Sequence, residues 1–83
     1  MNDDELIARY IEANPHRPGA DEARLVERGV SVWATIGDYL AADGDLEQVM
    51  RDYALSREAV KAALAYYRRH KDIIDNRLAA NAV

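Results

Sequence analysis

Five side chains in the second half of the chain are of a type and spacing that suit phosphate recognition: Ser56, Arg57, Lys61, Arg68 and Arg69. Guanidinium groups grip phosphate through two parallel hydrogen bonds, and lysine binds it as a point charge. Ser56 stands just before an apolar repeat, where its hydroxyl caps a helix and lies close to anything that approaches the helix start. Arg57 and Lys61 are one helical turn apart, and Arg68 and Arg69 continue the basic character towards the end of that helix. If this is the second helix of a helix-turn-helix, its outward face enters the major groove and these groups reach phosphates and base edges. Ala62 and Ala65 then permit a close approach of the duplex. The plainer interpretation is a solvated helix face, and Glu58 beside phosphate favours it.

Other chemistry is poorly provided for. His16 lies among prolines and His70 among basic residues, without the histidine pair or cysteine partners that a zinc site requires. Asp43-Gly44-Asp45-Leu46-Glu47 has the look of a calcium loop, but position twelve would be Ala54 instead of a bidentate glutamate. Ser31, Thr35 and Ser56 have no histidine base nearby in sequence, and there is no glycine-rich phosphate cradle. Neither an enzyme nor a metal or cofactor protein is expected.

With 83 residues the chain suffices for one small domain, and such a domain buries only about 60 to 65% of its unfolded surface. Oligomerisation or a partner is therefore plausible. The absence of cysteine removes disulfides and thiolate sites. No apolar run approaches ~18 residues, and MNDDEL is acidic where a secretory signal is basic, so a cytoplasmic location with no membrane contact is expected. The net charge of -4 divides unevenly: residues 1–50 carry 4 basic and 11 acidic groups, residues 51–83 carry 7 and 4. The basic excess belongs to the segment that would meet a polyanion.

The elements that must position these groups follow from periodicity. Leu46, Val49, Met50 and Tyr53 fall at i, i+3, i+4, i+7, and Val60, Ala63, Leu64 and Tyr67 repeat that spacing. Asp45 with Gln48 caps the first helix, Gly44 suits the left-handed turn before it, and Leu55 with Val60 forms a staple across Ser56. Trp33 to Ala42 supplies a third helix, in which Gly37 implies a close helix crossing. The predicted fold is all-α: a homeodomain-like three-helix core with a helix-turn-helix, an N-terminal helix and a long C-terminal helix. One short β-hairpin is predicted around Arg28-Gly29, between Leu25-Val26 and Val30-Ser31-Val32.

Three regions result. Residues 1–14 form an N-terminal helix, 15–22 a proline- and glycine-bearing linker, and 23–83 the trihelical domain with its helical extension. From Arg57 to Ala79 nothing breaks a helix, which would span roughly 35 Å and outrun a small core. Leu6, Ile7, Tyr10 and Ile11 at one end and Ile73, Ile74 and Leu78 at the other are thus surplus apolar groups for a partner. Tyr66 points away from its stripe and joins them. Cutting the chain after Lys71 is expected to affect partner binding more than the core.

The string Gly29-Val30-Ser31-Val32-Trp33, the Gly44-Asp45 helix start, Tyr53, Ala63 and Tyr66-Tyr67-Arg68-Arg69-His70 together resemble the small prokaryotic proteins grouped as domain of unknown function four-three-three. The resemblance covers about Ala23 to Asn76, with Ser31 where many relatives carry proline. Members are similar to homeodomain-like trihelical proteins, and many are encoded beside a toxin with a PIN-like nuclease fold. The resemblance implies an antitoxin of a type II toxin-antitoxin pair, a homodimer that binds a PIN-like toxin protein and represses its own promoter through operator DNA. The alternative is a protein-protein interaction module on a helix-turn-helix scaffold that never meets nucleic acid.

Overall fold

A computed structural model describes residues 1–82. Helix α1 (Asp3–Tyr10) is followed by strand β1 (Ile11–Glu12), a 3-10 turn (Ala20–Glu22) and strand β2 (Arg24–Leu25). Four further helices follow among the described residues: α2 (Val32–Ala41), α3 (Leu46–Tyr53), α4 (Arg57–Arg69) and α5 (Lys71–Asn81). The structure is mainly helical with one small antiparallel sheet, and α2, α3 and α4 pack on one another as the trihelical core.

Local signals place the helix starts. The carboxylate of Asp45 accepts from the Gln48 N–H at 3.2 Å, and Ser56 Oγ accepts from the Ala59 N–H at 3.1 Å. At the start of α1 the Asn2 side chain accepts from the Glu5 N–H at 2.9 Å. Gln48 does not close its side of a capping box, because its amide donates to Asp52 and its oxygen accepts from Arg51. Gly44 has the positive φ of +79° that its position calls for. Gly37 permits the close crossing anticipated for it: a Cβ there would lie 3.1 Å from Leu78 Cδ2 on α5.

The hairpin forms and is wider than its sequence suggests. Arg28 and Gly29 both have φ of +63°, the Leu25 N–H donates to the Val30 carbonyl at 2.7 Å, and Arg24 bridges Ser31. On its other side β2 pairs with β1, Ile11 opposite Leu25 and Glu12 opposite Arg24. Residues 11–13, read as the end of a helix, are therefore partly strand, and this pairing ties the N-terminal segment to the domain.

Four expectations need correction. Helix α1 packs on α4 of its own chain, with Leu6 buried and Ile7, Tyr10 and Ile11 half-buried against the core. The span 15–22 contains the 3-10 turn, whose Ala20 carbonyl accepts from the Tyr66 hydroxyl at 2.7 Å and whose Asp21 and Glu22 hold Arg77. Tyr66 is accordingly buried and hydrogen-bonded inside the domain. The C-terminal helix does not run on from Arg57 to Ala79. It divides at His70 (φ -127°, ψ 37°), whose N–H is shared by the Tyr66 and Tyr67 carbonyls.

The division has a packing reason. Folding back brings Ile74 to full burial and sets Leu78 against Gly37, removing apolar surface from water that a straight rod would leave exposed. Arg77 lies over the Trp33 ring at 4.8 Å, so the half-buried indole has a cation on one face. Of the surplus apolar groups, Ile73 alone is exposed, at 42%. Ile74→Ala is predicted to cost about 2 to 5 kcal/mol in denaturant unfolding and Ile73→Ala no more than ~0.5 kcal/mol. Equal effects would show that α5 does not dock as described.

Candidate nucleic-acid interface

The corner between α3 and α4 is tight. Ala54 closes α3 in the left-handed conformation (φ 54°, ψ 48°), Leu55 drops into the core, and Ser56 starts α4. A non-glycine residue in that conformation costs roughly 1 to 2 kcal/mol, which the burial of Leu55 and Val60 on either side of the turn offsets. The predicted bihelical corner is thus present.

Helix α4 is covered on most of its circumference. Val60 and Ala63 face the core, Tyr66 reaches the 3-10 turn through its hydroxyl, and Ala59, Ala62 and Ala65 are fully buried. Ala62, Ala65 and Arg69 share a face, and Arg69 meets Asp4 of α1, so α1 covers the alanines that the sequence assigns to the duplex. Apart from Arg69, which is exposed beside α1, what remains in water is mainly one strip. At 100° per residue Arg57, Lys61 and Arg68 lie within about 40° of each other over roughly 16 Å of helix, and all three are exposed.

The cations are mostly engaged within the chain. Arg57 pairs with Glu47 of α3, Arg68 with Asp3 at 2.9 Å, and Arg69 with Asp4 at 2.5 Å. Lys61 has no ion-pair partner among the described residues. Exposed pairs of this kind contribute about 0 to 1 kcal/mol, so a phosphate can displace the carboxylate from Arg57 or Arg68 at little cost. Ser56 differs. Its N–H and hydroxyl donate to the two oxygens of Glu27, at 2.9 and 2.6 Å, in a half-buried site, and this takes Ser56 out of the contact set. None of these four carboxylate partners could be assigned from spacing, since they lie 10 to 65 residues from the groups they meet.

A second electrostatic feature lies between α2 and α3. Asp38 Oδ2 is buried and has no hydrogen-bond partner among the described residues. Burial, with the Asp52 carboxylate beside it, raises the Asp38 pKa above its ordinary value of 3.8. The Tyr53 hydroxyl is pushed up in turn by burial and by these two carboxylates.

A family model described as "Protein of unknown function (DUF433)" matches residues 21–67, more than half of the chain. The chain belongs to the DUF433 family. The matched span of this DUF433 protein holds β2, α2, α3 and nearly all of α4, while α1 and α5, which cover α4 and pack against α2, lie outside it. No curated protein and no solved structure matches it. Among the described residues no helix is long and apolar enough to cross a membrane, and no cluster of three or more potential metal-ligating side chains is present.

The Asp38 environment yields a test with a defined sign. Because the folded state favours the protonated acid, the native chain binds more protons than the unfolded one, and stability falls as pH rises from about 3.8 through the raised value. Asp38→Asn is predicted to raise the melting temperature at neutral pH and to remove this decline. A lower melting temperature at pH 7 would contradict the assignment.

Proposed function

We propose that this DUF433 protein is the antitoxin of a type II toxin-antitoxin pair, which binds a PIN-like toxin and represses its own promoter as a homodimer. The observation that carries the DNA half of this reading is the strip of Arg57, Lys61 and Arg68, the uncovered side of the second helix in a bihelical corner. In this reading α4 lies along a groove, Lys61 meets phosphate directly, and Arg57 and Arg68 exchange a carboxylate for a phosphate as the duplex arrives. A dimer repeats the strip on a second half-site. The toxin half rests on the family resemblance. With Leu6, Tyr66 and Ile74 turned inward, the large apolar groups open to a partner among the described residues are Met1, Val26, Leu40 and Ile73.

One observation favours a second reading, a protein-binding scaffold that does not touch nucleic acid. Arg57, Arg68 and Arg69 already face carboxylates, and the chain is acidic at -4. Titration of labelled promoter DNA at several salt concentrations separates the two. Three phosphate contacts per chain give a slope of log K against log salt of about -2.7. Lys61→Glu, at an exposed position, is expected to weaken binding about tenfold or more with an unchanged melting temperature. No binding at low salt would favour the scaffold and end the repressor reading.

A further inference from the structure

Asp3 and Glu47 hold the two ends of the strip. The Asp3 carboxylate meets Arg68 at 2.9 Å, and Glu47 meets Arg57, leaving Lys61 between them without an ion-pair partner among the described residues. Both pairs are open to water, with side-chain exposures of 59% and 39% for Arg68 and Asp3 and 45% and 54% for Arg57 and Glu47. They are therefore weak constraints on the fold. Their effect on an approaching polyanion is larger than their effect on stability. A guanidinium already matched by a carboxylate adds no net charge to attract a duplex. When a phosphate displaces that carboxylate, the acid is left beside the DNA backbone, where it repels.

We infer that Asp3 and Glu47 are affinity-setting residues: intramolecular anions that mask Arg68 and Arg57 and so suppress sequence-independent DNA binding by this chain. The inference rests on the DNA-binding reading given above. Of the strip, the wild-type chain presents only Lys61 unmasked to random-sequence duplex, and the arginines are transferred to phosphate only where base contacts hold α4 in register. The two acids have a further duty that does not distinguish them. Each lies in the first turn of its helix, where the helix dipole favours any anion. Glu5 shares the first turn of α1 and has no cationic partner among the described residues, so it separates masking from helix stabilisation and from overall charge.

The test compares the full-length wild-type chain with Asp3→Asn, Glu47→Gln, the double variant and Glu5→Gln, on random-sequence and promoter duplexes between about 50 and 200 mM salt. Each single variant at a masking acid is expected to bind random-sequence duplex several-fold more tightly. The double variant should gain about tenfold or more at ~50 mM salt, with a salt slope steeper by roughly 0.9 for each arginine released. Glu5→Gln stays within about twofold of wild type, because it frees no guanidinium. Equal gains from Asp3→Asn and Glu5→Gln would reduce the effect to net charge and overturn the masking role. Wild-type binding with no gain in the double variant would overturn it while leaving the DNA reading intact. Failure of every chain to bind either duplex would remove both. Thermal melts of each variant confirm that affinities are compared between folded chains.

Discussion

The structure depends on how closely other elements approach α4. Ala59, Ala62, Ala63 and Ala65 are all removed from water, and their single methyl groups let neighbouring backbones lie against the helix where larger side chains would hold them off. Helix α1 takes one such face, and the 3-10 turn reaches another through the Tyr66 hydroxyl. Helix α5 meets α2 in the same manner at Gly37. A helix that would be more widely displayed in a bare trihelical domain is largely covered, with mainly the strip of Arg57, Lys61 and Arg68 left open. Any partner of α4 must use that strip.

Electrostatics follow from this arrangement. Covering α4 with α1 brings the acidic first turn of one helix to the basic last turn of the other, so Asp3 and Asp4 sit where Arg68 and Arg69 are. This is favourable for both helix dipoles. The same contact neutralises charge that the sequence alone assigns to a ligand. Glu27 does the equivalent at the other end of α4, filling the donors of Ser56. The uneven distribution of charge along the chain, acidic then basic, is thus largely closed internally, and Lys61 is what remains without a matching anion in the strip.

What the sequence made legible was local. The caps at Asp45 and Ser56, the turn at Gly44, the corner at residues 54–56 and the crossing at Gly37 each depend on residues within a few positions, or on a glycine whose cost needs a reason. The break at His70 was not legible, because no glycine or proline marks it and the cause is the burial of Ile74 and Leu78 against distant helices. The alanines of α4 admit α1 where the sequence suggests a duplex, for a comparable reason. A methyl group admits a duplex and a protein helix equally well, and only the position of α1 decides between them. The β1 strand was hidden too, since two residues show no alternation, and Ile11 and Glu12 owe their conformation to Leu25 and Arg24.

Because the chain has no cysteine, the covering of α4 can be probed by thiol labelling of single-cysteine variants at Lys61, Ala62 and Ala65 in the folded protein. The account predicts that the cysteine at position 61 reacts as fast as in denaturant. Those at 62 and 65 should be slowed by orders of magnitude and react only as α1 opens. Comparable fast labelling at all three positions would mean that α1 does not rest on α4, and the single-strip description would be wrong.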